Sequence, residues 1–317
     1  MFISIFVVNP ESGKNLPRCL TALAAQTYVN FETLVIASGA ASLALPDSRC
    51  RLIRLPSDAS HTALCNRAAA EAKGALFVFL DAKDCAEPEW LMALLNAARR
   101  YPDAGLFGSA LISAQDPEQL YSCGYGYSFT GFAWRCGAGW PLEALPDDGR
   151  IFAPCGPLTI RADLFNALGG FDERLEDETE NIDLAFRARL MGHETIQLSE
   201  AILRHDETPV ADDARVRGIF QRTQGNIRVF VKNMPPPLFE LLLPFHIVGQ
   251  ILALLAHPGS AIIRWDGMMA ALRELPDLMR DRRTLSALPA HASLRIAHAL
   301  SWSLRKIFWR MTDVRKI

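Results

Sequence analysis

Apolar residues follow two rhythms along this chain of 317 residues. Four short, β-rich apolar runs occur at 2–8, 33–36, 51–55 and 76–80, and stretches with helical spacing separate them. Leu16, Leu20, Leu23 and Ala24 lie on one face of a helix predicted over 16–26. Further helices are predicted over 63–72 and 87–99, the last with Pro88 in its first turn. Strands alternating with helices predict an α/β fold with a mostly parallel sheet and crossover helices.

The rhythm breaks at 121–150, where "CGYGYSFTGFAWRCGAGW" is rich in Gly and aromatics and has no helical period. Loops and short strands that wall a cleft are expected there. A strand over 157–160, a helix over 162–168, the turn "GGFDE", a helix over 181–191 and a strand ending at His205 follow. Arg204 beside that histidine suggests a strand leaving the core. Arg187, one turn after Asp183, is expected to pair with a carboxylate on the same helix face.

The composition changes at Pro235. "PPPLFELLLPFHIVGQILALLAHPGSAII" has few charges, but Pro244, His246, Gln250 and Pro258 interrupt it. A spanning helix needs about 20 largely apolar residues, so two readings stand: a helix packed on the rest of the protein, or one lying in a membrane surface. From Arg264 onward eleven Lys/Arg face five Asp/Glu, a local +6 that leaves −8 for everything before it. These basic residues lie among Leu, Trp and Phe, which favours the membrane surface. The expected division is therefore 1–230 as one α/β domain and 231–317 as a helical, basic region. The overall net charge of −2 gives no basic bias toward nucleic acid.

Seven scattered cysteines without C-x-x-C spacing indicate neither a zinc site nor a disulfide framework, which suits a reducing cytoplasm. "MFISIFVV" has no charged leader and no small-residue cleavage site, so it reads as the first strand.

Several stretches carry a family resemblance. "CLTALAAQTYVNFETLVIASG" resembles the opening unit of family 2 glycosyltransferases, in which a helix ends in a Gln-Thr-Tyr-x-Asn-Phe-Glu turn. "NRAAAEAKGALFVFLDAKD", which starts at Asn66, is similar to that family's Asn-x-x-x-x-x-Ala-x-Gly-x-x-x-x-Phe-Leu-Asp stretch. "GGFDERLEDETENIDLAFR" is similar to its Gly-Gly-Phe-Asp-Glu segment with a following Glu-Asp-x-Asp-Leu, and His205 sits where the family often has a histidine. Together these cover most of 1–230. "GNIRVFVKNMP" and "LPDLMRDRR" resemble tails of bacterial cell-surface polysaccharide and rhamnosyltransferase-like members.

The resemblance implies a GT-A fold that binds a nucleotide-sugar donor and a glycan or lipid-linked acceptor, at the cytoplasmic face of the cell membrane. It implies inverting hexosyl transfer, in which a carboxylate removes the acceptor's proton and a cation, ordinarily Mg2+ or Mn2+, steadies the leaving diphosphate. Mapped onto this chain, the donor side comprises Asn9, Ser38, Gly39, Asn66, Asp81, Lys83, Asp84 and His205. Gly156 and Asn181 fall on the acceptor side, and Asp81, Asp84 and His205 form the candidate metal set.

Three acidic positions of the pattern are missing. Ala37, Ser38, Gly39 and Ala40 replace Asp-Asp-Gly-Ser at the end of the second strand, and Val8, Asn9, Pro10 and Glu11 replace Pro-x-Tyr-Asn in the first. Lys83 falls where a carboxylate commonly binds the metal. An ammonium repels a divalent ion at contact by several kcal/mol, even at an effective dielectric near 20. Either Asp84 supplies the ligand while Lys83 turns away, or Lys83 itself faces the diphosphate, or Lys83 is a surface cation paired with Asp81 or Asp84. Asn181 replaces the catalytic aspartate and has no usable basicity, so Glu180 and then Asp183 are the candidate bases; both also suit a helix start for purely structural reasons. The rival expectations are a catalytically inactive GT-A protein that binds a partner enzyme or glycan intermediate and, more distantly, a nucleotidyltransferase.

Overall fold

Ile3, Ile5, Phe6 and Val7 are all fully buried, so both faces of the first strand are covered and it sits inside a sheet. The computed structural model describes residues 1–9, 15–38, 45–46, 48–55, 59–207, 211–287 and 289–317. The first half runs β1 (Ile3–Asn9), α1 (Leu16–Ala24), β2 (Phe31–Ser38), β3 (Cys50–Leu55), α2 (His61–Ala69), β4 (Leu76–Asp81), β5 (Asp84–Ala86), α3 (Trp90–Arg100) and β6 (Ala104–Ser113). Short strands follow: β7 (Leu120–Ser122), β8 (Tyr125–Tyr127), β9 (Ala133–Arg135), β10 (Gly149–Ile151) and β11 (Leu158–Arg161). Then come α4 (Ala162–Ala167), α5 (Thr179–Leu190), β12 (Glu194–His205) and α6 (Asp212–Asn233). The C-terminal region is helical: α7 (Leu238–Ala256), α8 (Ala261–Arg273), α9 (Leu275–Asp281), α10 (Ala290–Ala299) and α11 (Leu304–Phe308).

The main sheet has strand order β10-β12-β6-β11-β4-β1-β2-β3. β1 runs parallel to β2 and β4, and β12 parallel to β6, while β11 is inserted antiparallel between β4 and β6. The expected mixed α/β architecture is the one observed, with boundaries moved by one to three residues. β12 does not leave the core at Arg204. That residue and His205 pair with β6 on one side and β5 on the other.

Two side-chain clasps explain the sequence motifs. Gln26 is 4% exposed; its Nε2 donates to the Glu87 carbonyl at 2.8 Å and its Oε1 accepts from the Leu91 amide at 2.9 Å, tying the end of α1 to the start of α3. Asn66 on α2 donates to the Phe171 carbonyl at 3.0 Å and accepts from the Phe171 amide at 2.8 Å. It thereby holds the "GGF" turn, where Gly170 has φ +76° and a Cβ would lie 2.5 Å from Asn66 Oδ1. Phe171 then packs edge-on against Phe79 of β4, with ring centroids 4.8 Å apart.

The boundary expected at 230 falls inside α6, one continuous helix capped at Met234. Leu238, Phe239, Leu242, Leu278, Ile296 and Leu300 share the core of the sheet, and the buried Arg282 donates to the Val231 carbonyl at 3.0 Å. α7 has 19 residues and is long and apolar enough to cross a membrane by length and composition. Its buried face is Leu238, Phe239, Leu242, His246 and Gln250, whereas Leu241, Phe245, Ile247, Val248, Ile251, Leu252 and Leu255 are exposed. His246 Nδ1 donates to the Thr130 carbonyl at 2.9 Å and its ring stacks on Phe230 with centroids 4.1 Å apart. Burial pulls this imidazole's pKa down to about 4, so it is neutral at pH 7.

Replacing Gln26 by Ala strands the Leu91 amide in a buried place. The expected loss is about 1–3 kcal/mol, read as a lower urea midpoint with an unchanged slope.

Candidate active site

β4 and β12 both end at one edge of the sheet, as expected for a ligand crevice at the carboxyl ends of parallel strands. Asp81 closes β4 and is exposed; its Oδ1 accepts from the Lys83 amide at 2.9 Å, which tightens the turn. The chain then enters β5, which pairs antiparallel with the end of β12 so that Asp84 faces His205. Asp84 is 1% exposed and lies 2.7 Å from His205 Nδ1, and its Oδ2 has no hydrogen-bond partner among the described residues. Burial raises the Asp84 pKa against the opposing histidine bond. Burial also lowers that of His205, but the Asp84 carboxylate outweighs it and the imidazole stands above its ordinary value.

Tyr121 of β7 stacks on the His205 ring with centroids 4.1 Å apart, and the Arg135 guanidinium lies 4.3 Å over Tyr121. The aromatic stretch walls this cleft as expected, although neither residue stood out individually. Lys83 is half-buried, and its ammonium forms no ion pair among the described residues, so the paired surface cation is not what is observed.

The head of α5 closes the other side. Asp177 and Glu178 adopt φ of +57° and +72°, a left-handed conformation uncommon outside glycine and one that concentrates at functional sites. Arg222 of α6 reaches Asp177 at 2.9 Å. Burial raises the pKa of Glu178, whose surroundings include Arg222, His205, Asp84 and Asp81. Glu180 is half-buried, its Oε2 has no described partner, and burial raises its pKa to about 8. Asn181 Nδ2 donates to the Gly156 carbonyl at 3.0 Å, and Gly156 has φ +70°.

The other sequence candidates take different places. Asp183 is fully buried within hydrogen-bonding distance of Arg187 (2.7 Å), Lys232 (2.6 Å) and Asn233 (2.7 Å). Burial alone would raise its pKa, but the Arg187 and Lys232 cations hold it below the ordinary range, so it is a saturated ion-pair centre unsuited to accepting a proton. Asn66 spends its amide on the "GGF" turn and on Glu173 Oε1, to which its Nδ2 donates at 3.1 Å. Gly39 and the side chains of Asn9 and Ser38 lie outside the described residues. Glu178 and Arg222 escaped the sequence reading because no motif spacing marks them.

Asp81, Asp84 and His205 do not fit the expected metal set. No group of three or more His, Cys, Asp or Glu among the described residues is arranged to hold a metal ion. The strand pairing turns Asp84 onto His205 and leaves Asp81 in solvent beside a lysine, which is short of the oxygen ligands a hard divalent ion takes.

Residues 4–130 match the family model for "Glycosyl transferase family 2". The chain is 29% identical over 229 residues to the O-antigen biosynthesis protein RfbC of Myxococcus xanthus, covering 65% of this chain and 17% of that protein. It thus spans about a fifth of the length of the curated relatives it matches, 17% and 22%. Among solved structures, S. aureus TarS 1-349 in complex with UDP-GlcNAc superposes with a TM-score of 0.56 at 13% identity, covering 96% of this chain and 93% of that one. The mannosyltransferase PcManGT from Pyrobaculum calidifontis, in complex with GDP-Man and Mn2+, gives 0.52 at 15% identity over 97% and 87%.

Asp183→Ala takes from the half-buried Arg187 its only described carboxylate and leaves the half-buried Lys232 with Asp172 alone. The expected cost is about 3–5 kcal/mol, read as a large fall in melting temperature.

Proposed function

We propose that the chain, whose residues 4–130 match the family 2 glycosyltransferase model and whose fold resembles that of TarS, moves a sugar from a nucleotide-sugar to a glycan or lipid-linked acceptor, with inversion, in building a bacterial surface polysaccharide. The observation that carries this reading is the convergence of Asp81, Lys83, the Asp84–His205 pair and the Tyr121–Arg135 stack on one side of a cleft whose other side is the acidic head of α5. The donors bound by the structural neighbours, UDP-GlcNAc and GDP-Man, are nucleotide-sugars.

The acceptor hydroxyl attacks the anomeric carbon from the face opposite the diphosphate. The new carbon–oxygen bond forms as the bond to the diphosphate oxygen breaks, and the leaving group keeps that electron pair. Lys83 supplies fixed positive charge to the diphosphate, in place of the divalent ion whose ligands are missing. Glu180 takes the hydroxyl proton. Its raised pKa, with an oxygen free of partners, suits a base operating near neutrality.

The chain is further proposed to work at the inner face of the cell membrane, in contact with lipid through α7. α7 buries Leu238, Phe239 and Leu242 together with His246 and Gln250, yet leaves Leu241, Phe245, Ile247, Val248, Ile251, Leu252 and Leu255 exposed. That exposed apolar face, with the basic residues of the C-terminal region close by in sequence, suits an interfacial helix.

Nucleotide-sugar binding is expected to persist in EDTA, and Lys83→Ala to weaken it by about 1.5–3 kcal/mol, measured by calorimetry over a panel of donors. Strict metal dependence rejects the lysine reading, and no binding to any donor favours an inactive, partner-binding protein. Turnover should rise with pH through about 8 as Glu180 loses its proton. Glu180→Gln should abolish turnover with donor binding intact; a fully active Glu180→Gln protein moves the role to Glu178. Val248→Glu with Leu252→Glu should abolish sedimentation with vesicles while leaving the core untouched. Unchanged sedimentation makes the outer face of α7 irrelevant to lipid.

A further inference from the structure

A cavity of about 900 Å3 opens at the opposite end of the sheet from the cleft. β12, a strand of 12 residues, starts at this cavity and ends at His205, a length of roughly 35 Å. The walls come from the starts of β6 and β12, the ends of α3 and α5, α10, and residues 313–317.

Its charge is one-sided. Six Lys/Arg side chains line it against three carboxylates. Glu194 pairs with Arg150, Asp313 with Arg315 and Lys306, and Arg100 with Asp148, so Arg189, Arg295 and Lys316 are the lining cations without a described carboxylate. Arg189 is 6% exposed; its guanidinium donates to the Ile151 and Phe152 carbonyls at 2.8 and 3.0 Å, and no described carboxylate pairs with it. Burial lowers its pKa to about 10, which still leaves it charged at pH 7. Arg295 is half-buried, with its guanidinium against Gly192 and no hydrogen-bond or ion-pair partner among the described residues. A buried cation without a counter-charge is costly. A volume of this size admits a small-molecule ligand, and guanidinium groups match phosphate oxygens in pairs.

We propose that this cavity is a second ligand site, independent of the donor cleft, that takes a phosphate-bearing anion. Two sources share that chemistry: a soluble diphosphate and the headgroup of an anionic lipid. The lipid source has a route. A second cavity of about 460 Å3 shares His298, Asp313 and Arg315 with this one and reaches Trp302, which stacks on Phe129 beside Phe245 of α7.

The test compares the full chain with Arg295→Glu, and with the milder Arg295→Gln should the first not fold. Titration with pyrophosphate at low salt is expected to show a site that survives Lys83→Ala and is weakened tenfold or more by Arg295→Glu. Vesicles of phosphatidylglycerol against phosphatidylcholine read the lipid source, where Arg295→Glu should remove the preference for the anionic vesicles while α7 still binds both. Loss in the pyrophosphate arm assigns a soluble ligand, and loss in the vesicle arm a headgroup. If the wild type and the Arg295 variants behave alike in both arms, or if Lys83→Ala removes all pyrophosphate binding, the proposal is overturned.

Discussion

The antiparallel pairing of β5 with the last residues of β12 sets the geometry on which the cleft depends. Three residues of β5 answer three of β12, and that register puts Asp84 opposite His205. The buried carboxylate and imidazole compensate one another in a place where either alone would be expensive. The same pairing decides what Asp81 and Lys83 can do, because both lie at or within the tight turn between β4 and β5. With Asp84 turned inward, the solvent side of that turn presents one carboxylate and one ammonium. The cation chemistry of the cleft thus follows from strand pairing as much as from residue identity.

The fold was legible wherever burial wrote a period into the sequence. β1, β2, β3 and β4 were found because they are short apolar runs, and α1 because Leu16, Leu20 and Leu23 recur on one face. The "QTY" motif was recognisable as a family feature, and its physical content is the Gln26 clasp between two helices. The site was legible only in part. Asp84 and His205 were both named, but 121 positions separate them, and no local pattern records that they hydrogen-bond each other instead of sharing a metal. Asp183 looked like a spare base because Lys232 and Asn233 arrive from α6, far along the chain. Glu178 and Arg222 left no trace, since a left-handed backbone at a glutamate is a tertiary outcome.

α5 joins the two charged regions of the molecule. Its first turn carries Glu180, two residues after the Glu178 whose surroundings include Asp84 and His205, and its last turn carries Arg189 at the basic cavity. Acidic residues at the start and basic ones at the end both agree with the direction of the helix dipole. Asp183 and Arg187 in the middle fix the helix to the "GGF" turn, because Arg187 donates to the Leu168 and Gly170 carbonyls at 2.7 and 2.9 Å. The helix is therefore held rigidly between its ends, and the carboxylates at its head have a firm support.

The inward polar stripe of α7 bears on which substitutions that helix tolerates. In a helix packed by apolar burial, the inner face resists change and the outer face drifts freely among polar residues. Here the buried Leu238, Phe239 and Leu242 share that face with a neutral imidazole that donates to the Thr130 carbonyl and stacks on Phe230, so a polar contact also fixes the rotation of the helix about its own axis. Leu, Ile, Val and Phe can trade places on the outer face with little consequence, while a conservative-looking His246→Leu would release the helix from its setting.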